Sequence, residues 1–310
     1  MAELKMDIDP SFYEPEVRCD YEIPAEMKKV WAVELDLLSE LLRVCKENDI
    51  TIVANGGTAL GAARHQGFIP WDDDIDMMML RSEYNKLCAI GPTAFKDPYF
   101  FQTEYTDPGS RRRHAQLRNS RTTGILKSEV GKYAFNQGIF IDIFPLDNVV
   151  EDEALLAKQK KQAAKYREQA RKYYWHTVGK DFIENNSLHT KLLNVWYGLK
   201  HAFYKENHPY RKYEEELSRY NDRPTTYVSQ LMSNTFDNKN LFRRREYFDD
   251  IIELPFEMIT IPMCREYVKM LDSRFGNWHE FVKGGSWHGG VIFDTEVPYT
   301  EYLKKFNTKK

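Results

Sequence analysis

Cysteine is scarce in this 310-residue chain: Cys19, Cys45, Cys88 and Cys264 stand far apart and none belongs to a CxxC pair. That usage gives no reason to expect a disulfide framework or a thiolate zinc site, and a reducing compartment, the cytoplasm, fits it best. No apolar run approaches the ~20 residues that span a bilayer. The acidic start, MAELKMDIDP, has neither the basic residues nor the apolar stretch of a secretion signal. An excess of one charge is missing too: 44 Lys and Arg face 47 Asp and Glu, so no general pull toward nucleic acid is expected and any anion site has to be local. Neither a GxGxxG fingerprint, nor a P-loop, nor an internal repeat or low-complexity linker occurs.

What is present is the balance of a folded soluble chain, 42% hydrophobic and 29% charged. Over residues 25–48, Val30, Val33, Leu37, Leu38, Leu41, Val44 and Cys45 recur at spacings of three and four, with Lys28, Glu34, Glu40 and Glu47 between them. This predicts an amphipathic helix. The run Thr51, Ile52, Val53 then meets Asn55-Gly56-Gly57-Thr58, predicting a strand, a tight glycine turn and a short helix that Thr58 caps and Gly67 and Pro70 end. Residues 75–80 and 138–144 predict buried strands, each holding one acid, Asp76 and Asp142, with Pro145 closing the second. Helices are expected over 151–174 and 188–220, with Lys158, Lys160, Lys161 and Lys165 as a solvated face. A Pro-bounded element near 259–262, a helix over 265–275 and a glycine-rich loop over 283–290 follow. The expected class is α/β (α+β): an N-terminal extension (1–24), a core (25–150), a helical insertion (151–223) and a C-terminal part (224–310) packing on the core.

Trp71-Asp72-Asp73-Asp74-Ile75-Asp76 sets four carboxylates beside an apolar strand. Burying such charges unpaired costs of order several kcal/mol each, so they need cations. Alternate residues of a strand share a face, which lets Asp74 and Asp76 point to one side, with Asp142 a candidate third ligand from a neighbouring strand. Oxygen ligands of this kind suit Mg2+ or Mn2+, and three carboxylates can hold two ions for an in-line phosphoryl displacement. Blander readings stand beside this one. Asp72, Asp73 and Asp74 also suit a solvated turn, and Asp142 an amide partner. Asp72, Asp74, Asp76 and Glu83 match positions of a calcium loop, yet Met77 stands where that loop needs glycine. The glycine turn at 55–58 is ordinary by itself; at a helix start its amides can approach a phosphate held by metals on the next strand. Of the arginines between the two acidic motifs, Arg111, Arg112, Arg113, Arg118 and Arg121, Arg118 is the preferred phosphate ligand because it follows Leu117 in a strand-like context.

Gly56-Gly57-Thr58-Ala59-Leu60-Gly61-Ala62-Ala63-Arg64-His65, followed by Gly67-Phe68-Ile69-Pro70-Trp71-Asp72-Asp73-Asp74-Ile75-Asp76, resembles the LicD family of phosphotransferases. Phe140-Ile141-Asp142-Ile143-Phe144-Pro145-Leu146-Asp147 is similar to the family's second motif, and residues 267–303, with Gly276, His288 and Asp294, to a weaker terminal pattern. Ala59 and Ala63 depart from it where bulkier aliphatics are frequent, away from the chemistry. The resemblance, over residues 26–303, implies a nucleotidyltransferase-like fold: a small mixed sheet with flanking helices and helical additions. It also implies transfer of phosphocholine from CDP-choline to a glycan of teichoic acid, lipopolysaccharide or capsule; fukutin-related enzymes, which move ribitol phosphate, resemble the same motifs.

By that resemblance Asp74, Asp76 and Asp142 take catalytic metal-carboxylate positions and Asp72 an additional one, with Mg2+ (or Mn2+) as cofactor. Substrate-binding candidates are Gly56, Gly57, Thr58, Arg64, His65, Trp71, Arg118 and His288. The expected partners are a CDP-linked donor and a glycan acceptor; if the acceptor is lipid-linked, the protein reaches it from the water side, peripheral at the inner face of the membrane. A quaternary ammonium calls for an aromatic cage, and Trp71, Tyr133, Trp175 and Trp287 are candidate walls. Asp142 as proton acceptor and Asp142 as metal ligand are not told apart. Other readings are transfer of another CDP- or CMP-activated group, such as phosphoethanolamine, glycerol or ribitol phosphate or a phosphonate, and a non-catalytic nucleotide-binding protein. True nucleotidyl transfer would release pyrophosphate instead of CMP.

Overall fold

The computed structural model describes residues 3–110, 112–179, 187–203, 208–232, 236–282 and 290–307. A hairpin of β1 (Glu16–Arg18) and β2 (Tyr21–Ile23) leads into α1 (Ala25–Glu47). This helix is buried far beyond its apolar stripe: with Trp31, Leu35, Leu37 and Leu38 lie the charged Lys28, Glu34, Asp36 and Glu40. An amphipathic helix would leave its charges in water; here the N-terminal segment covers them and supplies partners. Lys28 Nζ lies 2.6 Å from Glu16 Oε2, Glu40 meets Lys5 and Arg43, and Asp36 accepts from the Met6 N–H at 2.8 Å and the Tyr99 hydroxyl at 2.7 Å. Glu34 differs, because its buried Oε2 has no hydrogen-bond partner among the described residues.

The main sheet is mixed, as the expected class requires. It contains β3 (Val53–Ala54), which leads through α2 (Gly56–His65) to β4 (Asp76–Leu80); α3 (Arg81–Ala94) follows, then β5 (Tyr99–Gln102) and β6 (Ala115–Asn119). After β7 (Thr123–Leu126) comes β8 (Ile139–Val149), the strand on which the sheet is built. It runs parallel to β4 over its middle and antiparallel to β6 over residues 139–143.

Pro145 does not close β8; the strand continues through it. The Asp142 N–H donates to the Ile75 carbonyl on the β4 side. Alternation along the strand then directs position 145 to the opposite edge, where the pairing of β8 with β6 has stopped at Ile143. A residue without an N–H sits there at no cost in ladder bonds.

The chain continues into α4 (Glu153–His176), α5 (Leu188–Phe203) and α6 (His208–Leu217). The single helix expected over 188–220 is therefore two, and Pro209 in the first turn of α6 suits a helix start. Strands β9 (Tyr227–Ser229) and β10 (Arg243–Arg244) extend the main sheet, β9 pairing with β8 from Asp147 onward. A hairpin of β11 (Ile251–Phe256) and β12 (Ile259–Cys264), then α7 (Tyr267–Phe275), β13 (Val291–Asp294) on β7, and α8 (Tyr299–Asn307) finish the fold.

The two faces of β4 and β8 have different fates. Met77, Met79, Ile141 and Ile143 join the principal core with α1, whereas Met78, Phe144 and Leu146 pack with Met270 of α7. Asp76 and Asp142 head this second face, two residues before Met78 and Phe144, so the fold places them on the side that α7 covers.

Candidate active site

Asp76 and Asp142 are register partners on adjacent parallel strands, which in a sheet puts them roughly 5 Å apart with side chains on one face. Asp74 reaches the same place by another route. The strand begins at Asp76, so Asp74 lies in the preceding turn, where one oxygen from each of Asp72, Asp73 and Asp74 falls within 4.8 Å of the others. Strand alternation therefore does not explain Asp74; a tight acidic turn does. Glu83, the last position of the calcium-loop reading, instead accepts from the Thr51 N–H and pairs with Lys86.

Glycine makes the close approach of α2 feasible. Gly56 has φ of +55°, and a Cβ there would come 3.0 Å from the Arg274 guanidinium and 3.2 Å from Asp76 Oδ2; a Cβ on Gly57 would come 2.6 Å from Asp72 Oδ2. The positive end of the helix therefore sits against the carboxylates. Thr58, expected as a helix cap, does something else: its hydroxyl accepts from the Asp76 N–H at 2.8 Å and fixes where β4 begins. Asn55 precedes the helix without a side-chain capping bond, and its Oδ1 accepts from Arg274 Nη1 at 3.1 Å.

The charges show what this crowding costs. Burial, then Asp74 and Asp73, push Asp72 up to about 8. Glu34, fully buried beneath the turn, is pushed well above the usual carboxylate range by burial and by Asp74, Asp73, Asp72 and Asp142. Asp142 moves the other way: burial would raise it, but His114, the Gln116 amide and Arg112 outweigh burial and hold it low. His114 Nε2 stands 3.2 Å from Asp142 Oδ1, without the alignment of a hydrogen bond. A crowded set of hard oxygen donors and an orphaned buried carboxylate oxygen are what a divalent cation would relieve, so the residues fit Mg2+ or Mn2+.

Arg274 is the functional candidate that the sequence reading missed. It comes from α7, 198 positions after Asp76, and no local pattern marks it. Burial lowers its pKa, with Asp76 and Asp74 opposing that shift, so its guanidinium is held at the acidic cluster. Glu34 escaped notice because it sits among the polar positions of an amphipathic pattern.

Arg118 is a correction. It is fully buried, with Nε donating to Gln102 Oε1 at 2.6 Å, Nη1 to the Gly138 carbonyl at 2.7 Å and Nη2 to Gln116 Oε1. Burial, then Arg112, lowers it to about 9. With its nitrogens engaged inside, it does not grip a substrate phosphate; it orients the Gln116 amide, whose nitrogen donates to Asp142 Oδ1. Arg64 and His65 occupy the far end of α2, roughly 12 Å along the axis from Gly57 by helical rise. Arg64 donates to the carbonyls of Trp278 and Glu280 at 2.7 and 3.1 Å, and His65 is lowered to about 4 by burial and then by Arg64 and Arg18. Neither belongs to the acidic cluster.

Of the aromatic walls, Tyr133 and Trp175 meet at 5.9 Å, with Phe135 and Tyr174 beside Tyr133, while Trp71 packs separately on Tyr21. Arg112 lies 5.7 Å from the Phe135 ring and also acts on Asp142, which puts the aromatic group on the Asp142 side of the acids. His288 and Trp287 fall outside the described residues, as does Arg111. A cavity of about 1120 Å³, lined by Val149, Leu156, Tyr227, Phe236 and Phe242, lies elsewhere and includes none of Asp72, Asp74, Asp76 and Asp142.

Comparison with known proteins agrees with the motifs. The family described as "LicD/FKTN/FKRP, nucleotidyltransferase domain" matches residues 49–148, the stretch from the end of α1 through most of β8. The lipopolysaccharide cholinephosphotransferase LicD of Haemophilus influenzae is 25% identical over 256 residues, covering 79% of this chain and 88% of that protein. An uncharacterized protein, RP689, of Rickettsia prowazekii is 28% identical over 109 residues, 35% of this chain and 39% of its own length. Acids gathered on β4 and β8, the glycine-led helix set against them and these likenesses agree: the chain is similar to the LicD family, with residues 49–148 matching its nucleotidyltransferase domain.

Proposed function

We propose that this enzyme is a metal-dependent phosphotransferase that moves phosphocholine from CDP-choline to a hydroxyl of a cell-surface glycan precursor, such as lipopolysaccharide, and releases CMP. The observation that carries the reading is the pairing of Asp76 with Asp142 beside the acidic turn, in a chain aligned over most of its length with a cholinephosphotransferase. Asp72, Asp74, Asp76 and Asp142 would hold Mg2+ or Mn2+, which supplies neutralisation of the donor's phosphate charge. The acceptor oxygen attacks the distal phosphorus of the donor, its O–P bond forms as the bond to the CMP oxygen breaks, and the acceptor's proton leaves to a base.

The chain's own groups do the positioning. Arg274 and the N-terminal amides of α2 border the acids on one side and suit the donor phosphates. Gln116, aimed by Arg118, and His114 hold the Asp142 carboxylate ionised and fixed. Tyr133, Phe135 and Trp175 offer ring faces to a quaternary ammonium.

The test is product analysis. Purified protein with Mg2+ and a lipopolysaccharide acceptor is incubated with CDP-choline, CDP-ethanolamine, CDP-glycerol or CDP-ribitol, and the nucleotide released is measured. CMP from CDP-choline, dependent on acceptor and abolished by EDTA, is expected. A preference for another donor, or turnover indifferent to EDTA, would overturn the reading.

A further inference from the structure

Outside the acidic cluster, the least ordinary feature is α5. Leu188, Leu192, Val195, Trp196, Leu199 and Phe203 are each between 52% and 86% exposed. At about 100° per residue these six positions fall in a single stripe roughly 100° wide. The helix packs on α4 through its other side: Asn194 Oδ1 lies 2.7 Å from His176 Nδ1, and Tyr197 stacks on the His176 ring at 4.9 Å. Polar groups face the protein and apolar groups face out, the reverse of what water selects.

Charge completes the pattern. Lys191 and Lys200 border the stripe, one on each edge, and α5 has no Asp or Glu. Lys200 Nζ lies 4.8 Å over the Trp196 ring at one edge of the stripe. The supporting helix, α4, has seven Lys or Arg against two acids, in a chain whose net charge is −3. The bordering lysines, the acid-free helix and the basic support are complementary to an anionic surface.

We propose that this face of α5 docks on an anionic lipid bilayer. The apolar stripe enters the boundary between headgroups and acyl chains, and Lys191 and Lys200 extend to the lipid phosphates. The helix lies in the interface: at 16 residues it is about 24 Å long, and no described helix is long and apolar enough to cross a membrane. A second copy fits less well, since pairing two such faces brings the lysine edges and basic α4 helices together. The proposal goes beyond the transfer reaction, and its test needs no turnover.

The full chain is sized without lipid by light scattering, then floated with phosphatidylcholine vesicles and with vesicles containing roughly a third phosphatidylglycerol, at about 0.05 M and about 0.5 M NaCl. A lipid-free monomer that floats about tenfold more with the anionic vesicles, and loses that preference at high salt, is expected. The double substitution Leu192→Glu/Leu199→Glu removes flotation without lowering the melting temperature, because both side chains are exposed. Lys191→Gln/Lys200→Gln weakens flotation and flattens its salt dependence. A lipid-free dimer that the glutamate variant splits would give the face to a second copy and overturn the proposal. A monomer that ignores both vesicles overturns it as well and leaves the face to a protein partner.

Discussion

In β4 and β8 the apolar residues Met77, Met79, Ile141 and Ile143 are buried, and the carboxylates Asp76 and Asp142 sit half-buried at the head of the other face; in α5 six apolar side chains face outward while Asn194 and Tyr197 hold the helix down. One region concentrates negative charge at the head of two paired strands and in the segment just before them. The other sets apolar surface and positive charge on the outside of the molecule. Each arrangement is uncomfortable in isolation, and each becomes comfortable with a particular external partner: a cation in the first case, an anionic surface in the second. Unfavourable features that the fold builds at some expense are where ligands belong.

The sharpest way to break the first half of that contrast is Asp142→Asn. It keeps shape and removes the charge that His114, Gln116 and Arg112 are arranged to stabilise. If Asp142 shares the metal-binding work with Asp76, kcat falls about a thousandfold or more, with folding retained. Circular dichroism together with CMP release checks both; near-normal turnover would leave Asp142 a structural acid.

Arg274→Met comes next. A charge-assisted bond to phosphate is worth about 1.5–3 kcal/mol, so a loss of roughly 10- to 100-fold in kcat/KM for the donor is expected. The effect should fall on the donor and spare the acceptor's KM. If both KM values move together, the residue acts through Asn55 and the Gly56 turn instead.

Metal removal offers a comparison within one protein. In the metal-free state Asp72 keeps its proton to about 8, whereas an unfolded aspartate releases it near 3.8. Between those values the folded state binds more protons than the unfolded one, so stability falls as pH rises through the window. Glu34 is shifted in the same direction. EDTA-dialysed protein should therefore melt lower at pH 8 than at pH 5, and Mn2+ should restore more at pH 8. Allowing for water reaching the partly exposed Asp72, the difference is about 4 °C. A melting temperature that rises with pH without metal would contradict the crowded-carboxylate account.

How much of this was legible in the sequence depends on how local each cause is. Asp76 and Asp142 could be picked out because each is a lone acid inside an apolar strand run, and their parallel register follows once both strands enter one sheet. The glycines at 56 and 57 were legible as a turn, though not as the clearance that lets α2 touch Asp72 and Asp76. Arg274 and Glu34 were not legible, because their significance comes from packing across the fold. Arg118 misled for the same reason: a strand context argued for proximity to the acids, and burial turned its donors inward to Gln102, Gly138 and Gln116. In α5 the period was readable, but which face the molecule covers was decided by α4.

The smallest expected effect concerns the transferred group. Trp175 is half-buried and joins Tyr133, Phe135 and Tyr174 through ring contacts, so Trp175→Leu preserves apolar bulk while removing the indole face. A quaternary ammonium has no N–H to donate and depends on ring faces, whereas a primary ammonium can replace them with hydrogen bonds. At about 1–2 kcal/mol for a desolvated cation–π contact, the preference for CDP-choline over CDP-ethanolamine should drop roughly tenfold, through the choline donor alone. If both donors weaken equally, the cluster supports the fold near Asp142 without touching the head group. If neither changes, the ammonium is held elsewhere, and Trp71 beside Tyr21 is the next wall to substitute.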